Sequence, residues 1–198
     1  MNKMFIIFLF SLLLLVLPGC LFVSLGYTPD SDLPDNYTEK KYDVTFSVEY
    51  YNDRNDVFGL ASQEQYITWI KQYLQETKAF RSVAYKPITQ KSNYHINFIV
   101  HYSFMTVRES ALLGYFCGLT GLAIPTYQTL YMDISTVLYL RNNPVYSPST
   151  AEALRGYIWL PFLPVGLIWN QWWALTTQEK KCCRFLINEV VNYQKNHL

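Results

Sequence analysis

The chain has 198 residues, with 16 basic and 15 acidic side chains and a formal net charge of +1. This balance excludes the strongly basic surface that nucleic-acid binding requires, so no nucleic-acid partner is expected. Charged residues make up only 16% of the chain, against about a quarter in an average soluble domain, and the length suits one domain with its own core.

The first residues have the pattern of an export signal. Lys3 is followed by 14 residues without a charge, residues 4–17. A helix of that length spans roughly 21 Å, which is shorter than the hydrocarbon core of a bilayer. A positive residue before a short apolar run is typical of a signal peptide. Residues 1–19 are therefore predicted to be a signal peptide.

The segment Leu17-Pro18-Gly19-Cys20 resembles the lipobox of bacterial lipoproteins, although Pro18 stands where that family has a small residue. The resemblance implies that the leader is cut after Gly19 and that Cys20 carries covalent lipid, including palmitate, with membrane lipid as the partner. No other cofactor is expected. In that family Leu21 after the cysteine, in place of Asp, implies the periplasmic side of the outer membrane. The alternative is an uncleaved anchor, because residues 21–23 extend the apolar run.

Residues 20–41 are predicted to be a lipidated tether, since prolines and aspartates interrupt them without periodicity. Alternation of apolar and polar residues then predicts strands over residues 42–50, 94–104 and 130–140. Shorter strands are predicted near residues 81–88 and 154–160. Ser62 and Gln65 form a capping-box signature that opens an amphipathic helix. A C-terminal helix is predicted from about residue 177.

These elements predict an α+β fold in a single domain, residues 42–198. Its small antiparallel or mixed sheet has about four to five strands, with the amphipathic helix after the first strand and the second helix at the C-terminus. The element order is broadly similar to that of small domains in envelope assembly lipoproteins. That resemblance concerns architecture alone and transfers no site residue.

Two stretches of 23 residues, 110–132 and 156–178, carry no charge. They predict apolar helical insertions at about residues 110–129 and 157–176, at one end of the sheet. Three interpretations stay open: extra core packed on the sheet, shallow insertion into the leaflet that holds the lipid, and a spanning hairpin, which the prolines and Asn170-Gln171 disfavour. The candidate membrane-facing residues are bulky and apolar: Phe116, Leu119, Trp159, Phe162, Trp169, Trp172 and Trp173.

Chain direction adds a prediction about where the lipid lies. If each connection reverses the chain, the first strand begins at the end of the sheet where both charge-free stretches emerge. The predicted strand at residues 81–88 then runs antiparallel to the strand at residues 94–104. Cys20 and the two stretches would share one end of the domain.

The polar residues give no catalytic or metal-binding pattern. His95 and His101 lie six residues apart on one strand face, roughly 20 Å, and are expected to face solvent, as is His197. Glu49, Glu109 and Asp133 have no spacing that pairs them. No phosphate-binding glycine loop and no zinc-protease motif occurs. An enzyme is not expected.

The cysteines are also without zinc-site spacing. Cys182 and Cys183 are interpreted as small apolar residues on a packed helix, and a disulfide with Cys117 is left open. No metal is expected.

The sequence favours a lipid-anchored, non-enzymatic accessory or structural component of the bacterial cell envelope that acts through contacts with an envelope protein partner. One alternative is a protein that binds lipid or another hydrophobic ligand between the two charge-free stretches. A second alternative is a membrane protein with an uncleaved N-terminal anchor and inserted helical hairpins.

Overall fold

The computed structural model describes residues 19–26, 28–29, 42–52, 60–90, 92–104, 112, 115, 126–159 and 171–197. Within these ranges seven strands form one mixed sheet, so the predicted α+β class is confirmed with more strands than expected. The strands are β1 (Gly19–Ser24), β2 (Tyr42–Asn52), β3 (Phe80–Tyr85), β4 (Tyr94–Phe104), β5 (Thr126–Leu140), β6 (Asn143–Tyr146) and β7 (Ser149–Trp159).

The order across the sheet is β1-β7-β5-β4-β2-β3, and β6 pairs with β5. Two helices complete the domain, α1 (Gln63–Glu76) and α2 (Gln171–His197), with a short 3₁₀ turn at Ile88–Gln90. No described helix combines the length and the apolar character needed to cross a bilayer. We call the end of the sheet where β4 stops, β5 starts and β7 stops the upper end.

The strand β2 runs parallel to both of its neighbours. Phe46 is in register with Tyr85 of β3 and with Ile96 of β4. The strands predicted at residues 81–88 and 94–104, which are β3 and β4, were expected to be antiparallel. This prediction is therefore wrong. The chain does not turn back after β3; residues 86–93 cross β2 and start β4 on its other side. A hydrogen bond from Lys86 N to Phe46 O, at 2.8 Å, holds the start of this connection.

Because β2 and β4 are parallel, β2 begins at the lower end of the sheet, opposite to Phe104. The sequence predicted that the strand at residues 42–50 begins at the same end of the sheet as the charge-free stretches. This prediction is also wrong. The physical reason is that α1 returns the chain to the lower end before β3, and the 86–93 connection returns it again before β4. Alternation fixes the two faces of a strand but leaves its direction undetermined.

Both helices pack on one face of the sheet. Ser62 caps α1, and the Ser62 and Gln65 side chains each bond the backbone N–H of the other residue. Burying each large apolar side chain in this layer contributes about 1.5–3 kcal/mol. The sheet supplies Val44, Phe46, Val48, Ile96, Phe98, Val100, Met132, Ile134 and Leu138, and the helices supply Tyr66, Ile70, Leu74, Cys182, Cys183, Leu186, Ile187, Val190 and Val191.

Candidate functional site

Cys20 lies at the upper end of the sheet. It is in register with Ile158 of β7, which is in turn in register with Thr126 of β5. Cys20 therefore lies at the same end of the sheet as Thr126 and Ile158, one residue from each of the two charge-free stretches, and it reaches this end through β1 instead of β2. The beginning of the segment predicted to be a tether is an edge strand of the sheet.

Among the described residues, three strands (β1, β5 and β7) extend beyond the others at this end. Phe104, the last described residue of β4, is in register with Leu130, whereas β5 starts four residues earlier at Thr126. At about 3.3 Å per residue the extension is roughly 13 Å long. We call it the upper extension; it comprises residues 19–23, 126–129 and 155–159. Its lowest row contains Arg155, in register with Val23 and Thr129, and the rows above Arg155 carry no charge.

The predicted membrane-facing residues fall partly in this region. Trp159 is in β7 in register with Gly19, and Trp172 and Trp173 are in the first turn of α2. The last described residues of the first predicted insertion belong to β5. The described residues at the two ends of the second predicted insertion belong to β7 and α2. The remaining candidates lie outside the described residues: Phe116, Leu119, Phe162 and Trp169.

In the part of the first charge-free stretch that precedes β5, two side chains are described. Leu112 and Tyr115 are helical and expose 55% and 64% of their surface. Side chains that added to the core would be covered by neighbours. These two residues instead present apolar surface to the surroundings of the domain.

The chain that follows β1 is fastened to the domain by buried contacts. Leu25 N donates to Ala153 O at 2.7 Å. Thr28, only 2% exposed, donates its hydroxyl to the Glu152 carboxyl group. The same hydroxyl oxygen lies 3.1 Å from Thr150 Oγ1 and 3.5 Å from Cys182 Sγ. Thr28 thereby joins the N-terminal segment to both β7 and α2.

Gly26 is required by the close approach of Glu152. A Cβ atom at position 26 would overlap the Glu152 carboxyl group and would lie 3.0 Å from the Glu152 Cα atom. Glu152 itself is 3% exposed. We call Leu25, Gly26 and Thr28, together with the Glu152 carboxyl group that they enclose, the N-terminal latch.

The two cysteines whose side chains are described, Cys182 and Cys183, are free thiols inside the core, and their predicted place on a packed helix is confirmed. Burial raises the pKa of Cys182 to about 11, although the contact with the Thr28 hydroxyl acts in the opposite direction. Burial also raises the pKa of Cys183 well above its usual range. Both groups therefore stay protonated, and a thiol in this state is a poor nucleophile.

A second buried carboxyl group, Glu179, lies between α2, α1 and β4. It is fully buried and accepts hydrogen bonds from the Tyr102 hydroxyl and, at 3.2 Å, from Ala61 N. The Tyr66 and Tyr102 hydroxyl oxygens are 2.6 Å apart. Because the single proton of Tyr102 goes to Glu179, Tyr66 must be the donor to Tyr102. Within the described residues, Glu179 Oε2 has no hydrogen-bond partner.

Burial raises the pKa of Glu179 to about 7, against the lowering effects of the bonds from Tyr102 and Ala61 and of the charge on Lys180. Burial likewise raises the pKa of Tyr66 and of Tyr102, so both phenols stay neutral. A carboxyl group with a shifted pKa is a recurrent feature of active sites. Here it is enclosed in the interface between helices and sheet, where a substrate could reach it only by displacing the core.

The prediction that His95 faces solvent is wrong, since its exposed fraction is zero. Its Nδ1 atom lies 2.8 Å from Thr45 Oγ1 and its Nε2 atom 2.8 Å from Ser47 Oγ. The parallel register of β2 and β4 brings these three residues together, and Ser92 of the 86–93 connection lies 2.7 Å from the Thr45 hydroxyl. The connection that crosses β2 therefore helps to cover the imidazole ring.

The network continues toward the upper end on the sheet face opposite to the helices. Ser47 donates to Asn97 Oδ1 at 2.6 Å, and Asn97 Nδ2 donates to Glu49 Oε1 at 2.7 Å. Tyr51 donates to the second Glu49 oxygen at 2.8 Å. Because the Ser47 proton goes to Asn97, Ser47 accepts from Nε2 of His95. The polar groups of this row thus satisfy one another.

His101, which is partly exposed, lies in register with Asp133. His197 is exposed at the end of α2. Glu109 lies outside the described residues. Within the described part of the chain, no three histidine, cysteine or acidic side chains gather in a way that could hold a metal ion.

Sequence reasoning missed Gly26, Thr28, Glu152 and Glu179. A signal for Glu179 was present, because it lies three, seven and eleven residues before Cys182, Leu186 and Val190, on the predicted apolar stripe of α2. Glu152 occupies an inward position of β7 two residues before Leu154. An acidic residue at a core position is the pattern that could have identified both.

No family model matches the chain, and no curated protein matches it. Among solved structures, the chain is similar to the PelC dodecamer from Paraburkholderia phytofirmans, at 10% identity with a TM-score of 0.36, covering 87% of this chain and 96% of that chain. It is similar to a minor lipoprotein from Acinetobacter baumannii, at 14% identity with a TM-score of 0.29, covering 80% and 91%. It is also similar to rare lipoprotein B from Shewanella oneidensis, at 9% identity with a TM-score of 0.25, covering 76% and 91%. Likenesses at these TM-scores carry no argument about function.

Proposed function

We propose that the protein is a lipid-anchored, non-enzymatic accessory or structural component of the bacterial cell envelope. It is acylated at Cys20, lies on the periplasmic side of the outer membrane and acts through contacts with an envelope protein. The observation that carries this proposal is the position of Cys20, at the end of an edge strand and in line with the ends of β7 and β5.

The charge-free stretches support the same orientation. Phe104, the last described residue of β4 before the first stretch, lies at the upper end, as do Thr126 within the first stretch and Trp159 within the second. The helix α2 descends from this end, because Glu179 contacts Tyr102 near the top of β4 whereas Gln194 contacts Tyr94 at its bottom. An acylated Cys20 would place these apolar boundaries beside the leaflet.

The exposed side chains of Leu112 and Tyr115 favour one interpretation of the first stretch. Large apolar side chains that are left uncovered in a folded domain can contact membrane or protein. Packing as extra core would hide these residues. Their exposure instead supports shallow contact with the leaflet that holds the lipid.

The anchor does not require these stretches to insert. Each buried CH₂ of an acyl chain contributes about 0.8 kcal/mol, and one chain alone gives only reversible binding. The lipobox resemblance implies several chains on one residue, which is sufficient for stable attachment. Apolar contacts at the upper end would then determine how the domain is oriented on the membrane, and they would add little to the strength of its attachment.

The burial of the polar groups supports a structural role over a catalytic one. His95, Glu152 and Glu179 are each at most 3% exposed and take part in contacts that join separate elements. Contact with a protein partner fits the exposed tyrosines Tyr51 and Tyr131, since tyrosine is enriched at interfaces.

Labelling with radioactive or clickable palmitate tests the proposal directly. Wild type and Cys20→Ser should be labelled in cells and separated into membrane and aqueous fractions, with Cys117→Ser as the matched cysteine control. We expect label and membrane attachment in wild type and in the Cys117→Ser control, and neither in Cys20→Ser. Label retained by Cys20→Ser would contradict the proposal. An unlabelled Cys20→Ser protein that stays in the membrane would favour the uncleaved anchor.

A further inference from the structure

We propose that the N-terminal latch makes the lipid anchor rigid, so that the acylated Cys20 holds the upper extension of the sheet against the leaflet in a fixed orientation. This inference rests on the proposed acylation of Cys20. It adds a surface, the upper extension, and a partner for it, the lipid leaflet that carries the protein's own acyl chains.

A flexible tether would leave the distance and orientation of the domain relative to the membrane undefined. The 22 residues from position 20 to position 41, if unstructured, would separate the lipid from the domain by roughly 25 Å on average and leave the domain able to tumble. In the structure Cys20 is already paired with Ile158. No unpaired residue separates the lipid-bearing position from the sheet.

We call the rigid attachment of Cys20 to the domain, made by β1 and the N-terminal latch, the mount. Strand pairing is its first element. After cleavage behind Gly19, five residues of β1 remain in antiparallel register with β7, from Cys20 opposite Ile158 to Ser24 opposite Leu154. This strand lies at the edge of the sheet, with a neighbour on one side only. An edge strand of five residues held by backbone bonds alone would separate readily from the domain.

The latch supplies the second fixing point, just beyond the end of β1. Thr28 is buried and bonded to Glu152, and it also approaches Thr150 and Cys182. Gly26 lets the backbone close over the Glu152 carboxyl group, where a larger residue would clash. Strand pairing holds the beginning of the segment from Cys20 to Thr28 on the domain, and the latch holds the end of that segment.

The geometry then determines which surface meets the lipid. Cys20, Ile158 and Thr126 form one row across the upper extension, and this row and its neighbours above Arg155 carry no charge. The strand β5 has 15 residues, so the turn at Arg141 and Asn142 lies about 48 Å from Thr126. A rigid mount predicts that the upper extension touches the leaflet while this turn stays far from it.

Energy transfer from a fluorophore to an acceptor lipid can measure this orientation. Acylated protein carrying Cys117→Ser is labelled at Tyr131→Cys or at Asn142→Cys and reconstituted in vesicles of three parts phosphatidylethanolamine to one part phosphatidylglycerol. Tyr131 is 43% exposed and lies five residues below Thr126, whereas Asn142 is exposed at the lower end. We expect transfer at least about twofold stronger from position 131 than from position 142.

The latch is tested by Thr28→Val combined with Gly26→Val, with Thr68→Val as the matched control at an exposed position of α1. Releasing the latch should remove the difference between positions 131 and 142 while palmitate labelling and vesicle binding stay unchanged. The Thr68→Val control should keep the difference. Equal transfer from the two positions in otherwise wild-type protein, or an unaltered difference in the latch variant, would overturn the mount.

Hydrogen exchange gives a second measurement that needs no latch variant. In vesicle-bound wild type we expect slow exchange of the Leu25 amide, which donates to Ala153 O, and of the amides at residues 21 and 23, which face β7 in the same alternation. Rapid exchange at residues 21, 23 and 25 in acylated, bound protein would overturn the mount while leaving the lipid anchor intact. Absence of palmitate on Cys20 would instead refute the proposed function, so the two failures are distinguishable.

Discussion

The two faces of the sheet bury polar groups in different ways. On the face opposite to the helices, His95, Ser47 and Asn97 belong to adjacent strands and bond one another. On the helix-covered face, Glu152 and Glu179 are buried carboxyl groups whose described partners come from remote parts of the chain, such as Thr28 and Tyr102. A row of polar side chains that bond one another costs little to bury, whereas a carboxyl group whose pKa is shifted by burial, as that of Glu179 is, makes stability depend on pH.

The largest expected effect sharpens this contrast and concerns Glu179. Its pKa is about 7 in the folded protein and about 4.5 when exposed, so the folded state holds the proton more tightly. The resulting stabilisation is complete below about pH 4.5, decreases as pH rises and is lost above about pH 7. At roughly 1.4 kcal/mol per pH unit, the total is about 3 kcal/mol.

Urea unfolding of the unacylated Cys20→Ser protein at pH 5 and at pH 8 measures this effect. Glu179→Gln should remove most of the pH dependence and should be more stable than its parent at pH 8. Glu76→Gln, which changes an exposed carboxyl group of α1, should leave the pH dependence in place. The same slope in Glu179→Gln as in the parent would show that another group titrates.

The next effect breaks the link between the N-terminal segment and the helix-covered face. Thr28→Val keeps the shape of the side chain but removes a donor from the buried Glu152 carboxyl group. We expect a loss of about 2 kcal/mol in the free energy of unfolding, measured in the same Cys20→Ser background. Thr68→Val, where the hydroxyl is exposed, should cost no more than about 0.5 kcal/mol. Equal costs for the two substitutions would contradict the buried latch.

The smallest effect tests the opposite face. His95→Leu removes both imidazole nitrogens, but Ser47 keeps its bond to Asn97 and Thr45 keeps its contact with Ser92. We expect a loss of about 1.5 kcal/mol, because the remaining hydroxyls can still find partners. Denaturation monitored by circular dichroism is sufficient to measure it. A loss much larger than that of Thr28→Val would reverse the proposed ranking of the two faces.

Sequence patterns predicted the parts of the fold that depend on which face a residue occupies. Alternation located β2, β4 and most of β5, and the capping box at Ser62 located the start of α1. These features depend on residues close in sequence, so a local pattern determines them. The assignment of Cys182 and Cys183 to a packed helix succeeded for the same reason.

Features that depend on strand partners were beyond these patterns. The parallel pairing of β2 with β4 brings Thr45 and Ser47 to His95, so His95 is buried although its strand alternates as a half-exposed strand would. The strand β1 has the composition of the end of a leader, and only its pairing with β7 reveals it as part of the sheet. The latch likewise joins residues more than 120 positions apart.

Mass spectrometry of the N-terminal peptide is the most direct test of acylation at Cys20. The protein would be extracted from membranes of expressing cells and digested, and the fragments that contain residues 17–25 would be identified. We expect a fragment that begins at Cys20 and carries the added mass of acyl chains. A fragment that continues from Leu17 through Cys20 with an unmodified thiol would contradict the lipid anchor and the mount that depends on it.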